Sequence, residues 1–352
     1  MPMRIAFVYS SKSGMAAWWQ RLHRDELAAE EQEPPPDWFA ECDSEETVEA
    51  VKQALAERWE VFPIESDDEA YDRLRDLKPD LVFNIAEGVF GPNREAFIPA
   101  ICEMLGLPYT GSDPLTLSIC LDKSRAKEIL SFYNVPNPKF WIMNGEREDL
   151  SAVELPSIVK PLFEGSSKGI RDNSVARNRE ELKSRVEEVV NLYHQPALVE
   201  RFLDGREFTV GILGNLPHLE ILPIIEIDHS YLPAGANPIY SYEAKWVWDQ
   251  PENPLPLFRC PAEIGDNLKE KIKKVVIQAW KALRLRDWCR VDVRLDETGK
   301  PNILEVNPLP GILPRPEDNS CLPKAARTAG YTYAGLIQRV VEIACQRYGL
   351  RT

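Results

Sequence analysis

Apolar residues recur at two spacings along this chain, and the switches between them mark its elements. Arg4 to Tyr9 (RIAFVY) is a short, nearly continuous apolar run, which predicts a buried strand leading into a polar loop. Asp43 with Glu46 three residues on makes a capping-box-like start, and Val48, Val51, Ala54 and Leu55 carry helical spacing onward. Trp59 to Ile64 then reads as a strand, Asp68 to Leu77 as a helix, Leu81 to Asn84 as a strand, and Arg94 to Leu105 as a helix stopped by Gly106. Strands alternating with helices imply a largely parallel sheet with helical crossovers, ending near Gly111 to Pro114. The acidic, proline-bearing run Glu30 to Pro36 interrupts this unit and is expected to be an exposed loop or partly disordered insertion.

Beyond Pro114 the order of elements changes. Asp122 to Phe132 predicts a helix with Lys123 and Lys127 one turn apart, and Phe140 to Met143 and Ser157 to Lys160 predict strands. Asn178 to Tyr193 is helical, while Leu198 to Phe202, Glu207 to Leu213 and Leu219 to Ile227 suggest a small antiparallel sheet with one helix across it. Tyr231 to Pro256 is rich in prolines and aromatics and poor in aliphatics, as expected of a loop laid over a site. A long amphipathic helix (Ile264 to Leu283), a hairpin and a closing helix (Tyr333 to Tyr348) complete the chain.

Composition narrows the function classes. A chain of 352 residues exceeds one small core and suggests two or three compact units. No window approaches the roughly 20 apolar residues of a membrane span, and the N-terminus reads as a first strand rather than a signal peptide, so a cytoplasmic location is expected. The seven cysteines show no CxxC spacing and no neighbouring histidines, which argues for reduced thiols rather than zinc or disulfides. A net charge of -14 argues against nucleic acid as a partner.

Candidate chemistry concentrates in RVDVRLDETGKPNILEVNPLPG, residues 290 to 311. Period 2 sets Val291, Val293 and Leu295 on one face of its first strand and Arg290, Asp292 and Arg294 on the other; on the return strand Ile303, Glu305 and Asn307 share a face. A register bringing Asp292 beside Glu305 and Asn307 would gather hard oxygen ligands suited to magnesium, which takes its remaining ligands from nucleotide phosphates and water. Upstream, Lys160 precedes the loop EGSSKG (164 to 169). Its glycines can bring backbone N-H groups to phosphate oxygens, although it is neither a Walker A loop nor a Rossmann GxGxxG.

PYTGSDPLT with LDKSRAK, PSIVKPLFEGSSKGI, LVERFLDGREFTVGILG, YEAKW and the 290 to 311 hairpin occur in an order that resembles the D-alanine-D-alanine ligase branch of the ATP-grasp superfamily, from about Asp43 to Tyr348. The resemblance implies an α/β fold of three domains: a parallel-sheet N-terminal domain (1 to 114), a central ATP-grasp subdomain (115 to 213) and a C-terminal one with the metal site (214 to 352). It implies ATP and magnesium as cofactors, normally two ions, with manganese as a substitute. By motif match, Lys123, Lys160 and Lys245 would meet ATP phosphates under a loop containing Ser166 and Ser167. Glu200, Arg201, Phe202 and Leu203 would present backbone to adenine, Glu207 would take the ribose hydroxyls, and Asp292, Glu305 and Asn307 would hold magnesium. Arg290 and the backbone N-H of Gly311 would face the oxyanion when an amine attacks an acylphosphate. Small carboxylate and amine substrates are the partners implied, and a homodimer through the first domain.

The amino-acid half departs from that family. The first strand runs into SSKSGMAAWW without the glutamate that family members use for the first substrate's ammonium, Asn84 to Gly88 (NIAEG) replaces an LHG turn, and Trp246 replaces a tyrosine. An indole donates one hydrogen bond and accepts none. Glu87, Arg94 and Glu95 are therefore expected to line a rewritten first subsite with Trp246, and Ser320 with Arg315 to meet the second substrate. The expectation is a carboxylate-amine ligase with substrates other than the D-alanine pair. The alternatives are a genuine D-alanine-D-alanine ligase, or an ATP-binding regulatory protein without turnover, against which the retained Arg290 argues.

Overall fold

A computed structural model describes residues 2–23, 37–145, 149–249 and 254–351, apart from the Trp246 side chain. The expected loop at Glu30 to Pro36 lies outside the described residues.

Strands β1 (Arg4–Tyr9), β2 (Glu60–Glu65) and β3 (Leu81–Asn84) form a parallel sheet in the order β2-β1-β3. Helices Glu45–Ala56 and Ala70–Leu77 supply the crossovers, as the alternation predicts. Two further helices belong to this part of the chain and were not anticipated. Lys12–Leu22 replaces the expected polar loop, with Ser11 as its N-cap accepting from the Gly14 N-H. Pro114–Leu121 starts from Asp113, whose carboxylate accepts from the Thr116 N-H, with Pro114 in the first turn where it sacrifices no hydrogen bond.

The strands β4 (Phe140–Met143), β5 (Ser157–Pro161), β6 (Val175–Ala176) and β7 (Ala197–Arg201) form a second, antiparallel sheet in the order β4-β7-β5-β6, packed by helix Arg179–Tyr193. The third sheet contains β8 (Glu207–Asn215), β9 (His218–Ile221), β10 (Ile225–Ile227), β11 (Phe258–Arg259), β12 (Trp288–Leu295) and β13 (Pro301–Asn307), ordered β11-β10-β8-β12-β13 with β9 beside β8. The single small sheet expected over 198 to 227 is thus divided: β7 pairs with β5, whereas β8 pairs along most of its length with β12. A boundary at 213/214 falls inside β8.

Helix Asp266–Leu283 buries Ile272, Val276, Ala279 and Trp280 against the β8-β12-β13 face, joined by helix Lys123–Phe132. The closing helix Tyr333–Tyr348 packs instead on helix Glu45–Ala56, so the end of the chain shares a core with the first sheet. No helix among the described residues is long and apolar enough to cross a membrane.

Candidate active site

The hairpin β12-β13 places Asp292 opposite Glu305 and Arg290 opposite Asn307. The register slips between Asp292 and Val293, so that Val293 faces Ile303 and Leu304 is the extra residue of a bulge. This corrects the expected face assignment: Ile303 is fully buried with Val291 and Val293, while Glu305 and Asn307 sit with Asp292 on the other side. The bulge also frees the Leu304 carbonyl, which accepts from Lys127 Nζ at 3.2 Å.

Arg290 reaches along its own strand to Asp292, with Nε at 3.2 Å and Nη2 at 3.1 Å, and Asn307 donates to the same carboxylate at 3.2 Å. Burial raises the Asp292 pKa and the neighbouring Glu305 charge adds to it, in spite of Arg290. Glu305 behaves oppositely: against the effect of burial, Lys123 (3.0 Å) and Lys160 bring it down to about 2.

Behind the hairpin lies a buried lattice of charge. Glu200, in β7, sits between Lys127 Nζ at 2.6 Å and Lys160 Nζ at 2.7 Å, and all three are nearly inaccessible. The two lysines hold Glu200 below the usual carboxylate range although burial opposes this. Lys123, at the start of its helix, also donates to the Glu164 carbonyl. Lys245 lies on the irregular helical turn Ala244–Trp248, and its pKa falls to about 8 because burial and the nearby Arg290 both disfavour its charge. Cations outnumber carboxylates here, an arrangement that favours a polyanion.

At the far end of the same face, Glu207 accepts from Arg294 Nη1 and contacts His229 Nε2, each at 3.0 Å. Both keep its pKa low despite burial, with the His229 contact the larger influence. The Arg294 guanidinium lies 5.0 Å from the centroid of the Phe202 ring. Leu203 is buried beside it, whereas the Arg201 side chain points outward to Glu297 at 2.8 Å.

The loop after β5 holds Ser166 and Ser167 in the left-handed region, with φ of 50° and 60°. Gly169 shares that region (φ 72°), and a Cβ there would collide with the Pro161 ring. Ser167 Oγ donates to the Tyr240 carbonyl at 2.9 Å, which ties this loop to the 231–249 segment.

The expected substrate residues divide. Glu87 and Glu95 are half-buried near Glu41, with Asp43 also close to Glu87. Burial and the Glu41 charge raise both pKa values, that of Glu95 to about 8 although Arg94 opposes it. Arg94 is buried and gives its guanidinium to Glu41 and Glu164, so it is engaged within the protein. Ser320 Oγ donates to the Gly311 carbonyl at 3.2 Å and accepts from the Leu313 N-H, closing the 311 to 320 loop on itself. Arg315 is at the surface, paired with Glu46 at 2.6 Å. The Trp246 side chain lies outside the described residues. Sequence reasoning left out Lys127, Lys168, Glu41, Glu164, His229 and Arg294. Lys127 is one turn beyond Lys123, Arg294 is in period with Arg290 and Asp292, and Glu164 and Lys168 lie in the glycine-serine loop, whereas Glu41 and His229 carried no local signal.

Residues 133–342 match the family model described as D-ala D-ala ligase C-terminus. The D-alanine--D-alanine ligase of Pelotomaculum thermopropionicum is 32% identical over 87% of this chain and 93% of that protein. The chain belongs to the D-alanine-D-alanine ligase family. A protein of Sinorhizobium fredii designated uncharacterized protein y4sG is 36% identical over 76% of this chain and 75% of its own length. In fold, the crystal structure of D-alanine--D-alanine ligase from Bacillus anthracis covers 99% of both chains with a TM-score of 0.71 at 24% identity. Membership makes this chain an ATP-grasp protein and an ATP-dependent ligase that forms a C-N bond.

Proposed function

We propose that the chain activates a small carboxylate with ATP and joins it to an amine, and that the pair differs from two D-alanines. The observation that carries this reading is the hairpin register that sets Asp292, Glu305, Asn307 and Arg290 together in front of buried lysines. Asp292 and Glu305 are close enough to raise the Asp292 pKa, and such a pair suits a divalent cation. In this reading Asp292, Glu305 and Asn307 would hold magnesium, which would supply neutralisation of phosphate charge. Two ions are proposed.

Lys123, Lys160 and Lys245 then bind phosphate oxygens, and Ser166 and Ser167 lie in the loop over them. Glu207 takes the ribose, and the stretch Glu200 to Leu203 borders the base. A carboxylate is a poor electrophile until it takes the γ-phosphoryl group of ATP, releasing ADP. The amine then attacks the acylphosphate, negative charge builds on the acyl oxygen, and inorganic phosphate leaves as the amine gives up a proton. Arg290 and the Gly311 N-H meet that charge. Domain limits follow the sheets in this reading, with the central subdomain ending near Asp204-Gly205 rather than within β8.

Altered substrates are supported by the start of the Lys12–Leu22 helix, where Ser11 is committed to the N-cap and to Glu65 at 2.6 Å. The carboxylates of Glu41, Glu87 and Glu95 instead lie near one another, with Glu95 interacting with Lys123 and Glu305 and Glu87 with Lys245. The names of the relatives favour a second reading, in which both substrates are D-alanine. An ADP-release screen against a panel of amino acids, with products identified by mass spectrometry, separates the two. Efficient D-alanyl-D-alanine synthesis at low substrate concentration would refute the altered pair.

A further inference from the structure

Residues Asp37 to Glu41, far in sequence from the 164–169 loop, fasten it at both ends. Glu41 Oε1 accepts from the Gly165 N-H, and its other oxygen accepts from Arg94 Nε at 3.1 Å and Nη2 at 2.5 Å. Arg94 also donates to Glu164 Oε2 at 3.1 Å, which Lys168 Nζ meets at 2.9 Å, while Gln195 donates to Glu164 Oε1 at 2.7 Å. At the other end Asp37 Oδ2 accepts from the Gly169 N-H at 3.3 Å and from the Tyr193 hydroxyl at 2.7 Å. The Trp38 ring covers the Lys168 ammonium, 4.5 Å from its centroid. Glu41, Arg94, Glu164 and Lys168 are all buried.

Between these fixed ends Ser166 and Ser167 adopt left-handed backbone that non-glycine residues hold only when their surroundings enforce it. Asp37, Glu41 and Arg94 of the N-terminal part hold this loop together with Tyr193, Gln195, Tyr240 and the loop's own Lys168 N-H to Gly165 carbonyl bond. Each Glu41 oxygen has its own client, one in the loop and one on Arg94, so the carboxylate bridges two parts of the protein rather than decorating one.

We infer that Glu41 is a positioning residue: working through Arg94 and the Gly165 N-H, it holds the serine loop in its strained shape, and nucleotide affinity depends on it without direct contact. The affinity part rests on the reading of this loop as a phosphate cover. The structural part does not.

The test uses the full chain with Glu41→Gln and Glu41→Asp. The aspartate keeps the charge beside Arg94 but is one methylene short of serving both partners, so it remains informative should the glutamine variant fold poorly. Hydrogen exchange at 164–169 is expected to speed at least tenfold in both variants, with exchange in β8 and β12 unchanged. Binding of Mg-ADP, measured by calorimetry, is expected to weaken about tenfold. Unchanged exchange at 164–169, or acceleration spread equally over the whole chain, would overturn the inference, as would tighter Mg-ADP binding, which would make Glu41 a competitor for the phosphate position. Failure of the wild-type chain to bind Mg-ADP at all would instead count against the proposed function, and the exchange result would still judge the latch.

Discussion

In the proposed reading, the nucleotide half and the amino-acid half of the cleft are built by different means. The first is largely a lattice of regular elements: Glu200 lies in β7, Lys160 lies in β5, Asp292 and Glu305 face each other across a hairpin, and Lys123 opens a helix. The second is assembled from loops and turns, with Glu87 after β3, Glu95 in a short turn, and Ser320 and Arg315 in a loop bonded to itself. Chemistry set on strands keeps its geometry under sequence drift, whereas loops can exchange their side chains without disturbing a core. In the proposed reading, this contrast would let a strand-borne nucleotide site persist beside a loop-borne substrate site that changes.

The largest effect that would sharpen this contrast lies in the lattice. Lys160→Met leaves the Glu200 carboxylate with one partner in a buried setting, and breaking such a pair costs about 3–5 kcal/mol. Urea unfolding should show a loss of that order together with loss of nucleotide binding. A loss below about 1 kcal/mol would mean that the lattice is solvated in solution. Next, Arg290→Met should lower kcat for ADP release by about 100- to 1000-fold with nucleotide affinity changed much less, as expected for a group that meets charge only in the transition state. Equal losses in kcat and in nucleotide binding would assign Arg290 to holding Asp292 in place.

A smaller effect concerns pH in the amino-acid half. Burial, with Glu65 nearby, raises the Asp43 pKa to about 8, and Glu95 is raised to about 8 as well. Both bind protons more tightly folded than unfolded, so their stabilising contribution is complete below about pH 4 and is lost as pH rises through 8. Thermal melts of Asp43→Asn should therefore show a shallower fall in stability between about pH 4 and 8 than the wild type. An unchanged slope would exclude Asp43 as a contributor. At the small end, Arg315→Ala removes an exposed pair with Glu46 and should change stability by no more than about 0.5 kcal/mol. Should it instead raise the KM for one substrate severalfold in a steady-state assay, the residue belongs to the second subsite as first expected.

Legibility in the sequence followed the same division. The hairpin declared itself because strand alternation and the turn Asp296 to Lys300 are local, and the closing helix Tyr333–Tyr348 has the predicted ends. The Leu304 bulge is a backbone irregularity without a side-chain signature, so alternation alone put Ile303 on the wrong face. Helix Pro114–Leu121 was hidden because an Asp-Pro start reads as a turn until its cap is seen. The allegiance of β8 depends on pairing with a strand some eighty residues further on, and the Glu41 contact with Gly165 spans 124 residues, separations that no local pattern reports.

The account stands on the paired carboxylates of the hairpin drawing a nucleotide through a divalent cation. Calorimetric titration of the wild type and Asp292→Asn with ADP, each with magnesium and with a chelator, tests this most directly. The predicted result is tight binding only for the wild type with magnesium, and a loss of at least tenfold in the other three titrations. Equal affinity in all four would contradict it.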